Sequence, residues 1–168
     1  MATDDLHALA EEVGALLLAR GWRLGLGESC TGGLVGHLLT NIPGSSAFFQ
    51  GGVIAYANEV KRDVLGVPEE ALLTHGAVSA PVAVAMARGA RRVVDAEVGI
   101  SITGIAGPTG GTPDKPVGTV YVGYAGALGE GAERYAWTAD REGNKVLSAR
   151  AALALLRDLL AQGEGAAG

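Results

Sequence analysis

Ser29, Cys30 and Thr31 stand in a row within the segment GESCTGG (27–33), and each carries a hydroxyl or thiol group. A serine at a strand-to-helix junction can add to an amide or ester carbon while nearby backbone N–H groups receive the oxyanion. Thr31, Gly32 and Gly33 offer those N–H groups, and the glycines let a substrate approach the backbone closely. The same serine also suits a plain helix N-cap, where Ser and Thr are among the preferred residues. Cys30 is a second candidate nucleophile, because a thiol at a helix N-terminus can have a lowered pKa. Its alternative is to pack in the core as a small hydrophobe.

A serine nucleophile needs a base. His7, His37 and His75 have no obvious acid partner, so a Ser-His-Asp triad has no support in the sequence. The segment YANEVK offers another route, with Tyr56 at a strand end and Lys61 at the start of a helix. A desolvated lysine can lose its proton near neutral pH and act as general base. The Tyr56 hydroxyl could relay the proton or donate a hydrogen bond. The plain alternative is a strand tyrosine and a solvated helical lysine.

Thr103 precedes a glycine- and proline-rich loop, GIAGPTGGTPDKPVG, whose N–H groups at Gly104, Gly107, Gly110 and Gly111 could hold a phosphate or ribose. No Gly-Lys-Ser/Thr follows at P-loop spacing, and no dinucleotide fingerprint is present. Lys115 in this loop reads as solvated. Arg141 stands at the start of the last helix, where it could clamp a phosphate or carboxylate or lie on the surface. Glu28 reads as a carboxylate that orients the junction. There is no His-x-x-x-His, no clustered His/Asp set and no second cysteine, so no metal site is expected.

The elements that must position these residues follow from apolar spacing and turn residues. A first helix after Thr3 ends at Gly21, with Leu6, Leu9, Val13, Leu16 and Leu17 at helical spacing. A strand over 23–28, a helix over 31–41, a strand over 50–58 and a helix over 58–65 follow. Ser79 caps a helix through about residue 94, with Pro81 in its first turn. A buried strand over 97–104 precedes the long loop, and strands 118–126 and 132–139 form a hairpin. A terminal helix, about 142–162, closes the chain before a tail at 163–168 expected to be disordered. This order implies one α/β domain over 1–162, a three-layer α/β/α sandwich on a mixed, mostly parallel sheet of about five strands. The long loop at the C-terminal end of an apolar strand falls where open α/β sheets place ligands.

Composition narrows the function. The 168 residues suit one domain, and a formal net charge of −5 with no basic stripe speaks against a nucleic-acid partner. An acidic N-terminus and the absence of a long apolar run speak against a signal peptide or membrane partner. With a single free cysteine, these features lead to the expectation of a cytoplasmic protein.

Taken in order, GESCTGGLVGHLLTNIPG, then YANEVKRDVLGV, HGAVS and SITGIAGPTGGTPDKPVGTVYV resemble the CinA family, specifically its C-terminal domain, over residues 5 to 160. The resemblance implies hydrolysis of the carboxamide of nicotinamide mononucleotide to nicotinate mononucleotide and ammonia, without a cofactor or metal, by a homodimer. It makes Ser29 the nucleophile, with Tyr56 and Lys61 as its catalytic partners. Substrate contacts are expected from Thr31, Gly32, Gly33, Asn58, Thr103, Gly104, Ala106 and Arg141. In the last segment Ala139 stands where the family usually has glycine and Lys145 where arginine is common, which leaves the phosphate contacts open. Many CinA proteins carry an additional N-terminal nucleotide-pyrophosphatase-like domain; none is expected in this chain, so the functions of that domain are not assigned to it. Two rival readings stay open: an amidase for another small amide, and a non-catalytic module that binds a nucleotide or a protein partner.

Overall fold

The computed structural model describes residues 2–165. In chain order the elements are α1 (Ala2–Arg20), β1 (Leu24–Glu28), α2 (Leu34–Thr40), a 3-10 turn (Ser45–Ala47), β2 (Phe49–Ile54), α3 (Asn58–Asp63), α4 (Glu69–His75), α5 (Ala80–Val93), β3 (Val98–Gly104), β4 (Thr119–Gly126), β5 (Gly131–Ala136) and α6 (Arg141–Gly165). The five strands form one sheet in the order β2-β1-β3-β4-β5. β1 pairs in parallel with both β2 and β3, while β4 runs antiparallel to β3 and β5 to β4, so only β4 opposes the common direction. The architecture is the expected α/β sandwich on a mixed sheet.

Alternation along the strands divides the two faces. Leu24, Leu26, Val98, Ile100, Ile102, Val120 and Val122 point to one side and form the main core with Leu9, Val13 and Leu17 of α1 and Leu153, Leu156 and Leu160 of α6. Gly25, Gly99, Ser101 and Gly123 point to the other side, and α5 lies on that face. A Cβ added to Gly99 would sit 2.0 Å from Ala87 O, and one on Gly123 would sit 2.3 Å from Ala83 O. Helix backbone therefore rests almost directly on sheet backbone, and Ser101 Oγ donates to Ala83 O at 2.5 Å across the seam. Gly25, Gly27, Gly99 and Gly123 of the sheet all serve this contact. A second, smaller core joins Val82, Met86 and Ala90 of α5 to Ala55, Leu65 and Val67.

Several boundaries differ from the sequence-based expectation. α2 begins at Leu34 instead of residue 31, because Gly32 and Gly33 take left-handed backbone angles (φ 59° and 99°) that a helix does not continue through. β2 stops at Ile54, although the Ala55 N–H still donates to Glu28 O of β1 at 2.8 Å. His75, expected in a turn, ends helix α4, whose start carries Pro68 followed by Glu69 and Glu70, a helix-opening pattern. The tail expected to be disordered from 163 begins as helix, since α6 continues to Gly165; residues 166–168 lie outside the described residues. Arg20 reaches this stretch and donates to Leu160 O at 2.5 Å.

Candidate active site

From β1 the chain passes through α2 to β2 on one side and then crosses to β3 on the other. The C-terminal end of β1 is therefore a topological switch point, the place where open α/β sheets leave a crevice. Ser29 follows the last residue of β1 and is held in line by its N–H, which donates to Ile102 O at 2.9 Å. It is only 7% exposed. Around it lies a cleft of about 170 Å³, lined by Ser29, Cys30, Tyr56, Asn58, Lys61, Ala77, Val78, Thr103, Gly104, Ala106 and Arg141.

Lys61 is the decisive neighbour. At 2% exposure it is among the largest fully buried side chains of the protein. Its Nζ lies 3.0 Å from Ser29 Oγ, 2.8 Å from Ala55 O and 3.0 Å from Tyr56 O. Burial, with no carboxylate partner among the described residues, pulls the amine below the ordinary lysine range. The two carbonyls can only accept, so a neutral amine directs both its hydrogens at them and its lone pair at Ser29 Oγ. After Ile54 the Ala55 N–H still donates to Glu28 O at 2.8 Å, while the Ala55 and Tyr56 carbonyls turn onto the amine.

Cys30 takes no part in this contact. Its thiol is 6% exposed, packs in the main core and is pushed up to about 11 by burial, so it is protonated at neutral pH. His7 pairs with Glu11, His37 with Asn41, and the His75 carbonyl accepts from Lys115; none of the three lines the cleft. Among the described residues no group of three or more His, Cys, Asp or Glu is placed to hold a metal ion.

Other expected site residues occupy more specific places than their sequence suggests. The Thr31 hydroxyl is buried and donates to Glu28 Oε1 at 2.7 Å, so it faces away from a substrate. The Gly32 N–H closes a turn on Ser29 O at 3.1 Å. Gly33 lines a different hollow beside Ile54 and Phe49. The α2 terminus is also taken, because Val35 N and Gly36 N both donate to Glu28 at 3.0 Å. The N–H groups of Cys30 and Thr31 are the ones next to Ser29 that donate to no protein acceptor among the described residues. The Thr103 hydroxyl donates to Ala77 O at 2.9 Å and so holds the opposite wall. Gly104, at the end of β3, is pressed against Val120, where a Cβ would come within 2.6 Å. Ala106 is buried, and Asn58 is exposed at the first turn of α3.

Tyr56 touches the site twice. Its carbonyl holds Lys61, whereas its hydroxyl, on a residue 63% exposed, accepts from Arg141 Nη2 at 3.2 Å. Arg141 Nη1 donates to Gly107 O at 2.7 Å, so the guanidinium bridges the cleft mouth. Asn144, one turn further along α6, was not foreseen as part of the site. It is buried and joins Ala106 O at 3.0 Å to Ala139 N at 3.1 Å. Its spacing of three from Arg141 was the available signal. The Lys145 amine reaches toward Gly32, 3.7 Å from where a Cβ would stand.

Comparison with known proteins shows the family of this chain. Residues 6–160 match the family described as the CinA C-terminal domain. The chain belongs to the CinA C-terminal domain family. A CinA-like protein of Anaeromyxobacter sp. (strain K) is 57% identical over 149 residues, covering 89% of this chain and 36% of the relative. One from Salinibacter ruber is 54% identical, covering 91% of this chain and 37% of the relative. The chain thus spans little more than a third of the length of these curated relatives. Among solved structures, competence damage-inducible protein A of Klebsiella pneumoniae superposes with a TM-score of 0.89 at 37% identity, covering 93% of this chain and 97% of that one. A competence/damage inducible protein of Agrobacterium tumefaciens gives 0.86 at 38% identity, covering 92% and 95%. The names of these relatives and structures refer to CinA or to competence and damage induction, and state no reaction.

Proposed function

We propose that this CinA domain is a serine amidohydrolase with Lys61 as the base for Ser29, acting on the carboxamide of nicotinamide mononucleotide. The observation that carries the reading is the 3.0 Å contact between Ser29 Oγ and a buried Lys61 amine whose other two partners are carbonyls. Neutral Lys61 takes the hydroxyl proton directly as Ser29 Oγ bonds to the carboxamide carbon. The Cys30 and Thr31 N–H groups receive the charge that develops on the oxygen. Protonated Lys61 then gives its proton to the departing nitrogen, which leaves as ammonia. Water, deprotonated by the same amine, hydrolyses the ester, giving nicotinate mononucleotide and restoring Ser29.

The choice of substrate rests on the family resemblance and on the shape of the site. A cleft of about 170 Å³ is smaller than the ~300–1,000 Å³ usual for sites that enclose a whole small molecule. It suits the amide-bearing ring, with the phosphate outside near Arg141. The test is ammonia release from nicotinamide mononucleotide by the wild type and by Ser29→Ala, with free nicotinamide and NAD as comparison substrates. Release from the mononucleotide, lost in the variant, supports the reading. A folded wild type that releases ammonia from none of the three would move the binding-module reading ahead. We also propose a homodimer in the cytoplasm, which sedimentation and cell fractionation would check.

A further inference from the structure

Glu28 precedes the proposed nucleophile and is 3% exposed, yet among the described residues it has no basic side chain as partner. Its carboxylate instead accepts three hydrogen bonds: from Thr31 Oγ1 at 2.7 Å and from Val35 N and Gly36 N at 3.0 Å each. The last two are orphan donors of the first turn of α2, whose own cap position is a glycine without a side chain to offer. One carboxylate thus caps the helix from the strand side and braces the turn that joins them. Ser29 lies inside that brace. The turn is closed at two points that both span it, Glu28 to Thr31 through side chains and Ser29 O to Gly32 N through backbone.

We propose that Glu28 is the positioning residue of the nucleophile turn, fixing the Cys30 and Thr31 N–H groups relative to the carbon that Ser29 attacks. This rests on Ser29 being the nucleophile and goes beyond it, because the carboxylate touches neither Ser29 Oγ nor Lys61. The helix terminus is occupied from within, so it is not a seat for a substrate anion. Small displacements of oxyanion donors are expensive: about 10²-fold in rate for a misplacement near 1 Å. Burial of the charge is compensated by three donors and the positive end of α2, so loss of the charge alone disturbs the turn more than it disturbs the core.

The experiment uses Glu28→Gln, which keeps the size and presents an NH2 where one of the N–H donors must find an acceptor, and Thr31→Val, which removes only the hydroxyl side of the brace. Two readouts are followed: labelling of Ser29 by a fluorophosphonate probe, and ammonia release from nicotinamide mononucleotide. Expected are a roughly 10²-fold fall in kcat for Glu28→Gln, a smaller fall for Thr31→Val, and little change in KM. The acid limb of the pH–rate profile stays in place, because Glu28 does not contact the base. Variants that are folded by circular dichroism and label at the wild-type rate would overturn the proposal. So would rate losses that merely track the unfolded fraction, or an acid limb that moves. Failure of the nucleophile reading looks different: the wild type itself is not labelled, which removes both. A labelled wild type that does not deamidate the mononucleotide faults only the substrate, and labelling then decides the role of Glu28.

Discussion

The Lys61 amine and the Ser29 hydroxyl, 32 positions apart in the chain, meet at 3.0 Å because β1 and β2 are parallel neighbours whose ends open on the same crevice. Replacing Lys61 by Arg puts a permanently charged group where a proton acceptor is needed. Loss of a general base lowers the rate by about 10²–10⁴-fold, so Lys61→Arg and Lys61→Met should both fall in that range. In the wild type the rate should climb with pH through the lowered pKa of Lys61, as the neutral amine forms. A rate that is flat across that range, or unchanged in Lys61→Arg, would remove the lysine from the mechanism.

The same lowered pKa predicts a stability effect. Above the folded pKa of Lys61 and below about 10.4, the unfolded chain holds a proton on this amine that the folded chain has released. Unfolded protein binds more protons there, so stability rises with pH across that window and levels off above it. Lys61→Met lacks this dependence. The difference in denaturant midpoint between wild type and Lys61→Met should therefore shift in favour of the wild type from neutral toward alkaline pH, and a constant difference would contradict the lowered pKa.

Tyr56→Phe separates the two ways that Tyr56 meets the site. The backbone carbonyl that holds Lys61 is untouched by the change, while the bond from Arg141 to the hydroxyl is lost. We expect kcat close to wild type and an altered KM for the mononucleotide, since Arg141 is left with Gly107 O as its partner. A fall in kcat of about 10²-fold or more would instead fit a proton relay through the phenol.

Much of this was legible in the sequence, and what was not has a physical reason. Leu24/Gly25/Leu26/Gly27 and Val98/Gly99/Ile100/Ser101 alternate at period two, so their strands and the small-residue face could be read directly. The junction at Ser29 and the helix-borne Lys61 were readable by residue type. That they touch came only from the family resemblance and not from the residues themselves, because the contact depends on long-range strand pairing. The start of α2 was placed too early, since Thr31 resembles a helix-starting residue while its hydroxyl is spent on Glu28. Of the N–H groups expected at the oxyanion, that of Gly32 closes a turn on Ser29 O, while those of Val35 and Gly36 at the start of α2 are taken by a carboxylate seven and eight residues upstream. Tyr56 was read through its phenol, whereas its carbonyl makes the contact with Lys61, and no side-chain pattern reports on a carbonyl.

Cys30 neighbours the nucleophile and is still expected to be inert. With its thiol pushed up to about 11 and packed in the core, almost no thiolate is present near neutral pH. Iodoacetamide should leave the folded protein unmodified at pH 7 and alkylate it once urea unfolds it. Cys30→Ala should keep its activity and lose some stability to the cavity left behind. Rapid alkylation of the native protein with loss of activity would make Cys30 part of the chemistry.

The close approach of α5 to the sheet gives the last prediction, which links the fold to the cleft. A Cβ at Gly99 would meet Ala87 O at 2.0 Å, and there is no flexible side chain to yield. Overpacking of this kind destabilises by about 1–3 kcal/mol and sometimes more. At Gly21 a Cβ meets nothing within 4 Å, so Gly21→Ala carries only the strain of its left-handed backbone, about 1–2 kcal/mol. Gly99→Ala should therefore lower the melting temperature more than Gly21→Ala. It should also affect activity in the fraction that remains folded, because the Ala77–Ser79 wall of the cleft leads into α5 and is tied to Thr103 on β3. Gly21→Ala, at the end of α1 and outside the cleft lining, should leave kcat unchanged. Equal melting temperatures for the two variants, or full activity per folded molecule in Gly99→Ala, would show that α5 can move off the sheet without disturbing the wall it carries.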